Sequence, residues 1–394
     1  MRSGIFYIIF GVLILIYCLV CYYLGLRGWQ YLFKYIALIN RHIYWSLFWI
    51  AALSYFAARI GGNSLPSGLR YGLTIIGAYW LAVMFYLLQF IVILDLVRAL
   101  NRWLNFVPAV LKENAHSTPA LAGLGFVLIL GLVVYGSFNA KNPHVRHYDI
   151  QIDKAAGTLE QLHVVSVSDI HLGEINHNGT LTKMVEMINR LEPDLVLLPG
   201  DIIDEDVGPF IKQNMTATFQ QLGPKYGIYA VPGNHEYIGG SIKDAVYLLE
   251  QAGVKVLRDS FVKIDDSFYI VGREDSSHPQ FDSEAQIRSL AEALVGVDHS
   301  LPLILLNHQP TQLNEAKAEG IDLQLSGHTH RGQMFPINLI TSRIFEIDWG
   351  YLQKEDFQLI VSSGFGTWGP PIRVGNKPEI VDITITFKDQ LQLQ

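Results

Sequence analysis

The stretch Leu162–His171, LHVVSVSDIH, decides the reading of this chain. It opens as a short, β-branched apolar run, which reads as a buried strand, and it ends on Asp169 and His171, two residues apart. The same shape returns further along. Asp194–Leu198 runs into Pro199-Gly200-Asp201, and Tyr226–Val231 into Pro232-Gly233-Asn234. Leu303–Leu306 leads to Asn307-His308, and Asp322–Leu325 to Ser326-Gly327-His328. In open α/β sheets, ligands bind beyond the carboxyl ends of strands. A pattern serving only a core has no need of an oxygen or imidazole donor at every such end, so the repetition predicts a shared site.

The intervening segments support an α/β domain. Leu181, Met184, Val185, Met187, Ile188 and Leu191 fall on one helical face, and a helix-like stretch covers Phe210–Leu222. Phe357–Ser362 and Glu379–Phe387 read as further strands. The candidate ligands are Asp169, His171, Asp201, Asn234, His308, His328 and His330. Oxygen and imidazole donors without thiolate suit Mn²⁺, Fe or Zn²⁺. This set is too large for one ion and suits two ions sharing a carboxylate, about 3.5–4 Å apart.

The blocks D-x-H, G-D, G-N-H-E, H and G-H-x-H, in this order from Asp169 to His330, resemble the calcineurin-like metallophosphoesterase superfamily. Tyr229–Glu236, Gly327–Gln333, Gly364–Arg373 and Pro378-Glu379-Ile380 look like its membrane-associated bacterial branch, similar to the YkuE and YaeI phosphoesterases. The resemblance implies a four-layer α-β-β-α sandwich over residues 145–394. It implies one ion on Asp169, His171, Asp201 and His330, and another on Asp201, Asn234, His308 and His328, with manganese favoured over iron or zinc. His235 corresponds to the acid that meets the leaving group. The implied activity is cleavage of phosphoester or pyrophosphate bonds by in-line attack of a metal-bridging hydroxide. Relatives often have Gly where this chain has Arg331, which either contacts substrate phosphate or lies on the surface. Asp204, Glu205 and Asp206 read as a solvated acidic loop, with Asp204 the best of the three for holding a ligating histidine. Glu236 orients its loop, and Trp368 either walls the pocket or packs.

Outside this domain the composition changes. Half of the 394 residues are hydrophobic and only 16% are charged, against roughly 25% in ordinary globular proteins. Residues 1–140 hold nine Lys/Arg and two Asp/Glu (9 − 2 = +7), leaving 20 and 34 for the rest (20 − 34 = −14). Apolar runs at 5–24, 43–59, 71–94 and 120–138 predict an all-α transmembrane region of about four helices over residues 1–140. The first run is too long for a signal peptide and no A-x-A site follows it, so an uncleaved helix is expected. Arg27, Lys34 and Arg41 after the first helix, and Arg98, Arg102 and Lys112 after the third, place those connections in the cytoplasm by the positive-inside rule. Both termini are then outside, giving an integral protein of the cell membrane with an extracytoplasmic catalytic domain. Arg2, Lys141 and Arg146 count the other way. Cys18 and Cys21 lie in the first apolar run and read as small buried residues.

The −14 balance of the C-terminal part argues against nucleic acid, which basic surfaces bind. The expected substrate is a small or lipid-linked phosphate, and no protein partner is evident. The alternative is a non-catalytic membrane sensor that keeps the same fold as a binding module. Transport is disfavoured, because no charged residue lies deep in the apolar runs.

Overall fold

The structure, a computed structural model, describes residues 2–109, 116–240, 242–278 and 287–388. The chain divides into two compact units, residues 1–137 with 369–371 and residues 138–368 with 372–394.

The four expected apolar runs lie in α1 (Arg2–Tyr31), α2 (Arg41–Gly61), α3 (Ser67–Leu104) and α4 (Ser117–Ala140), each long and apolar enough to cross a membrane. The Asn40 side chain caps α2 by accepting from Ile43 N at 2.9 Å. Gly77 of α3 lies so close to the Tyr55 backbone of α2 that any Cβ would collide with it, the close approach that small residues permit between membrane helices. α3 has 38 residues, about 57 Å of helix, against a hydrocarbon core of about 30 Å. Its apolar run stops at Asp95, and the extra turns carry Arg98 and Arg102. Lys112, used in the orientation count, lies outside the described residues.

Among the described residues, the second unit has twelve strands. These are β1 (His144–Ile152), β2 (Gln161–Ser166), β3 (Leu195–Pro199), β4 (Ile228–Val231), β5 (Val254–Val256), β6 (Ser260–Ile264), β7 (Phe268–Gly272), β8 (Leu303–Leu306), β9 (Leu323–Ser326), β10 (Gly350–Lys354), β11 (Phe357–Val361) and β12 (Glu379–Phe387). They form two six-stranded sheets, ordered β1-β12-β2-β3-β4-β5 and β10-β11-β9-β8-β7-β6. β2, β3 and β4 are parallel in the first, and β7, β8, β9 and β11 in the second.

Alternation along the strands builds the layers. Val164, Leu195 and Leu197 point into a core shared with Ile270, Ile304, Leu306 and Leu325 of the other sheet. Their neighbours Val165, Val196 and Leu198 face outward, onto Leu181, Met184, Val185 and Ile188 of α5 (Asn178–Leu191). Phe210 of α6 (Gly208–Lys212) and Phe219 of α7 (Met215–Phe219) join the same layer. α8 (Asn234–Ile238) follows β4 directly, and α9 (Ile242–Gln251) adds Leu249 to that layer. On the opposite face, Leu305, Leu359 and Val361 pack on Leu290 of α10 (Leu290–Ala293) and Leu313 of α11 (Leu313–Ala318). The architecture is therefore helix-sheet-sheet-helix. The continuous helix expected over Phe210–Leu222 is two short ones, because Asn214 between them takes a left-handed conformation (φ 51°) that stops propagation.

Candidate metal centre

The loops after β2, β3, β4, β8 and β9 bring the seven expected ligands together. Five of them hold left-handed backbone: Asp169 (φ 53°), His171 (49°), Asp201 (51°), His328 (70°) and His330 (47°). For a residue with a Cβ this costs of order 1–3 kcal/mol, and such strain collects at functional sites. The glycines of the blocks are needed for room. A Cβ on Gly233 would collide with Asp201 Oδ1, and one on Gly327 with Asp169 Oδ2 and Ser168. The ligand loops pass each other at backbone distance.

Three groups of potential donors result among the described residues: His171 with Asp204 and His235, and two made of expected ligands alone. Asp169, His171 and His330 offer donor atoms within 4.8 Å of one another, and so do Asp201, His308 and His328. In the first, His171 Nε2 and His330 Nε2 are 2.9 Å apart, and His330 Nε2 is 3.5 Å from Asp169 Oδ1. In the second, Asn234 Oδ1 lies 3.2 Å from His308 Nε2 and 2.9 Å from His328 Nδ1. Asp201 Oδ2 stands between the clusters, 3.7 Å from His171 Nε2 and 3.2 Å from His308 Nε2. Backbone bonds fix both carboxylates: His328 N donates to Asp169 Oδ1, and His235 N to Asp201 Oδ1, each at 2.9 Å.

The electrostatics fit cations. Burial drives His171 and His328 down to about 4 and His330 well below its ordinary value, so these imidazoles are neutral at pH 7, the form that ligates. Burial raises Asp169 to about 6. Burial also pushes Asp201 up, but the facing His308 outweighs it and holds the carboxyl well below its usual range. His308 answers in the opposite sense: Asp201 raises it despite burial. Asp169 Oδ2 and His171 Nδ1 are buried with no hydrogen-bond partner among the described residues. His308 donates from Nδ1 to Pro199 O at 2.9 Å, which points its Nε2 toward the cluster. Unpartnered donor atoms, neutral imidazoles and a carboxylate between two clusters together fit a pair of divalent ions.

Comparison with known proteins agrees. The calcineurin-like phosphoesterase family matches residues 162–332. The transmembrane protein with metallophosphoesterase domain of Danio rerio is 30% identical over 320 residues, covering 79% of this chain and 72% of that one. A metallophosphoesterase of Aquifex aeolicus (strain VF5) is 32% identical over 265 residues, covering 67% of this chain and 99% of that one. The chain belongs to the calcineurin-like metallophosphoesterases. YkoQ of Bacillus subtilis (strain 168), also a metallophosphoesterase, is 27% identical, with 64% and 97% covered. The assignment is to the superfamily, not to the YkuE and YaeI branch within it. This metallophosphoesterase is thus a metal-dependent phosphoesterase associated with the membrane.

Around the expected ligands, two neighbouring side chains of this metallophosphoesterase take specific partners. Asp204 Oδ1 accepts from His235 Nδ1 at 2.9 Å and is 3.9 Å from Nδ1 of the expected ligand His171. The Arg331 guanidinium stacks over Trp349, 3.8 Å from the ring centroid. Glu236 ties its loop as expected, with Oε1 accepting from Ile202 N and Ile203 N and Oε2 from Gly233 N. Trp368 lies edge-on to His235, ring centroids 6.1 Å apart.

Sequence reasoning missed the support beneath His330. Arg373 is fully buried and donates to Ser363 O (2.6 Å), Gly364 O (3.0 Å) and Gly366 O (2.6 Å). Asn376 Nδ2 donates to His330 O at 3.2 Å and Arg331 O at 3.1 Å. Asn139, in the last turn of α4, donates to Arg373 O (2.9 Å) and Asn376 O (2.7 Å). The R-V-G-N run was visible, but no spacing rule tells an arginine buried under a loop from one on the surface.

Proposed function

We propose that this chain is a membrane-anchored dinuclear phosphohydrolase that cleaves phosphoester or pyrophosphate bonds of a small or lipid-linked substrate. The observation that carries the reading is Asp201, whose Oδ2 lies between His171 Nε2 (3.7 Å) and His308 Nε2 (3.2 Å). One ion would rest on Asp169, His171, Asp201 and His330, and the other on Asp201, Asn234, His308 and His328. When bound, such a pair neutralises phosphoryl charge and lowers the pKa of coordinated water. Manganese is the proposed metal.

The protein's own groups supply the rest. His235 is held by Asp204 through Nδ1, leaving Nε2 to give a proton to the departing oxygen. Burial opposes its charge, but the Asp204 bond and the Asp201, Asp204 and Glu205 carboxylates raise it to about 9, so the imidazolium is present at neutral pH. Glu236 locks the Asp201 and Asn234 loops together, and the neutrality of Asn234 avoids adding a further negative charge opposite an anionic substrate. The catalytic unit is proposed to be extracytoplasmic, on the charge distribution of the membrane connections. The acidic balance of residues 141–394 supports substrates other than nucleic acid.

The test compares manganese-loaded wild type with Asp201→Asn on chromogenic phosphomonoesters, phosphodiesters and pyrophosphates. Hydrolysis by wild type and its loss in Asp201→Asn are expected. Equal inertness of both, with metal bound, would favour the sensor reading.

A further inference from the structure

The membrane unit contains a cavity of about 340 Å³, lined among others by Leu24 of α1, Leu47 and Phe48 of α2, Trp80 of α3, and Phe126 and Leu130 of α4. That volume is at the lower end of ligand pockets, roughly 300–1,000 Å³. Leu47 is 63% exposed and Leu130 40%, so the cavity reaches the outer face of the helices. Its body is apolar in effect. The Trp80 indole N–H is taken by Tyr17 Oη at 3.0 Å and the Tyr44 hydroxyl by Gly25 O at 2.7 Å. Apolar walls with nothing against them forfeit dispersion contacts, and hydrocarbon is the solvent available to them.

One end differs. Arg27 and Tyr31 also line the cavity. Arg27 donates to Tyr31 Oη at 2.8 Å and to Asp95 Oδ2 at 2.7 Å, while Arg98 donates to Asp95 Oδ1 at 3.0 Å. Arg98 also lies over the Tyr31 ring, 4.4 Å from its centroid. Two guanidinium groups face one carboxylate (2 − 1 = +1). Each guanidinium has five N–H donors, so most of them remain uncommitted among the described residues. The side chains are 28% and 36% exposed. With four crossings, the end of α1 and the end of α3 share one side of the membrane. Lys34 in the connection after α1, Arg41 at the start of α2, and Arg102 lie on that side too.

We propose that this cavity is a binding site for an anionic phospholipid. An acyl chain occupies the apolar body, and the phosphate is held by Arg27 and Arg98 at the cationic end, drawn from the leaflet that those two arginines face. An apolar body with a cationic mouth matches an anionic amphiphile and disfavours a zwitterionic one, whose own ammonium repels the arginines. Basic pockets between membrane helices recognise headgroups in this way. The site lies within the membrane unit and does not depend on the metal centre.

The experiment places full-length protein in nanodiscs containing dibrominated phosphatidylglycerol or dibrominated phosphatidylcholine. It reads quenching of Trp80, isolated as the difference between wild type and Trp80→Phe. Stronger apparent affinity for the phosphatidylglycerol is expected, falling about five-fold with either Arg98→Gln or Arg27→Gln, the effect of one basic residue near a charged membrane surface. Each single variant leaves Asp95 paired with the other arginine, so neither strands a lone carboxylate. Ala122→Phe, which narrows the cavity from α4, is expected to abolish Trp80 quenching by either lipid. Equal quenching by the two lipids, a preference that survives both arginine variants, or quenching unchanged by Ala122→Phe would each overturn the proposal. Hydrolysis is not the readout, so failure here leaves the phosphohydrolase reading intact.

Discussion

His235 Nδ1 and Asp204 Oδ1 are 2.9 Å apart, and this bond connects the imidazole beside the expected metal ligands to the loop after β3, which also carries Asp201. Charge-assisted bonds of this kind are roughly twice as strong as neutral ones. His235→Ala is expected to lower kcat by roughly 10²–10⁴-fold, the usual contribution of a positioned acid. Asp204→Asn keeps the ring in place but removes the charge, and a loss of roughly 10–100-fold is expected. Steady-state kinetics on the manganese-loaded protein separate kcat from KM for both.

The same pair sets a pH limb. The folded pKa of His235, raised to about 9, exceeds its ordinary 6.5. The ionised pair therefore contributes stability fully below pH 6.5, and this is lost as pH rises through about 9. An acid role gives the same sign: kcat falls on the alkaline side as the proton leaves. Bound cations nearby would move this limb to lower pH, and Asp204→Asn would move it lower again. A kcat–pH profile in which the two proteins share an alkaline limb would remove His235 from the acid role.

Two ions per chain are expected from titration with Mn²⁺, and fewer in Asp201→Asn, because both clusters draw on that carboxylate. Asp201 raises His308 well above its ordinary pKa, so a cation competes with a proton there and affinity should increase with pH. Metal at 100 times its Kd stabilises by about 2.7 kcal/mol per site. A chelator should lower the melting temperature of wild type and leave Asp201→Asn less affected.

Gly327→Ala introduces a methyl group where Asp169 Oδ2 and Ser168 already stand. Overpacking costs about 1–3 kcal/mol, and here the displaced atom is an expected ligand. Weaker Mn²⁺ binding is expected together with modest destabilisation, measured by metal titration and thermal melting.

Arg373→Met would strand the carbonyls of Ser363, Gly364 and Gly366 in the interior. Burial lowers the Arg373 pKa to about 10, against the pull of Asp169 and Glu379, so the group is charged at pH 7. Losing a buried charge and its hydrogen bonds should cost about 3–5 kcal/mol. Melting of the full-length protein should show it at any metal concentration, unlike Gly327→Ala, whose deficit concentrates in metal binding.

Some of this was legible in the chain because it is local. Strand-sized apolar runs ending in Asp, Asn or His are a one-dimensional signal, as are apolar stretches long enough to cross hydrocarbon. β8 and β12 match the expected strands Leu303–Leu306 and Glu379–Phe387 residue for residue. β1, β5, β6, β7 and β10 went unread: all but β7, a buried apolar run, mix apolar with polar, partly exposed positions. The helix over Phe210–Leu222 was overextended, since composition does not announce a left-handed Asn214.

The sequence by itself determined the kinds of donor, their order and the division between an apolar anchor and an acidic α/β domain, because periodicity and composition are set along the chain. Only the tertiary structure decided that two mixed sheets bring the carboxyl ends of their parallel strands to one place, so that Asp201 stands between His171 and His308. It also decided that Asp204 serves His235, that Arg331 rests on Trp349 and that Arg373 lies beneath the His330 loop. Contacts of the site join residues far apart along the chain, 159 positions for His171 and His330. They depend on which faces pack and how closely backbones approach, and spacing along a chain does not carry that information.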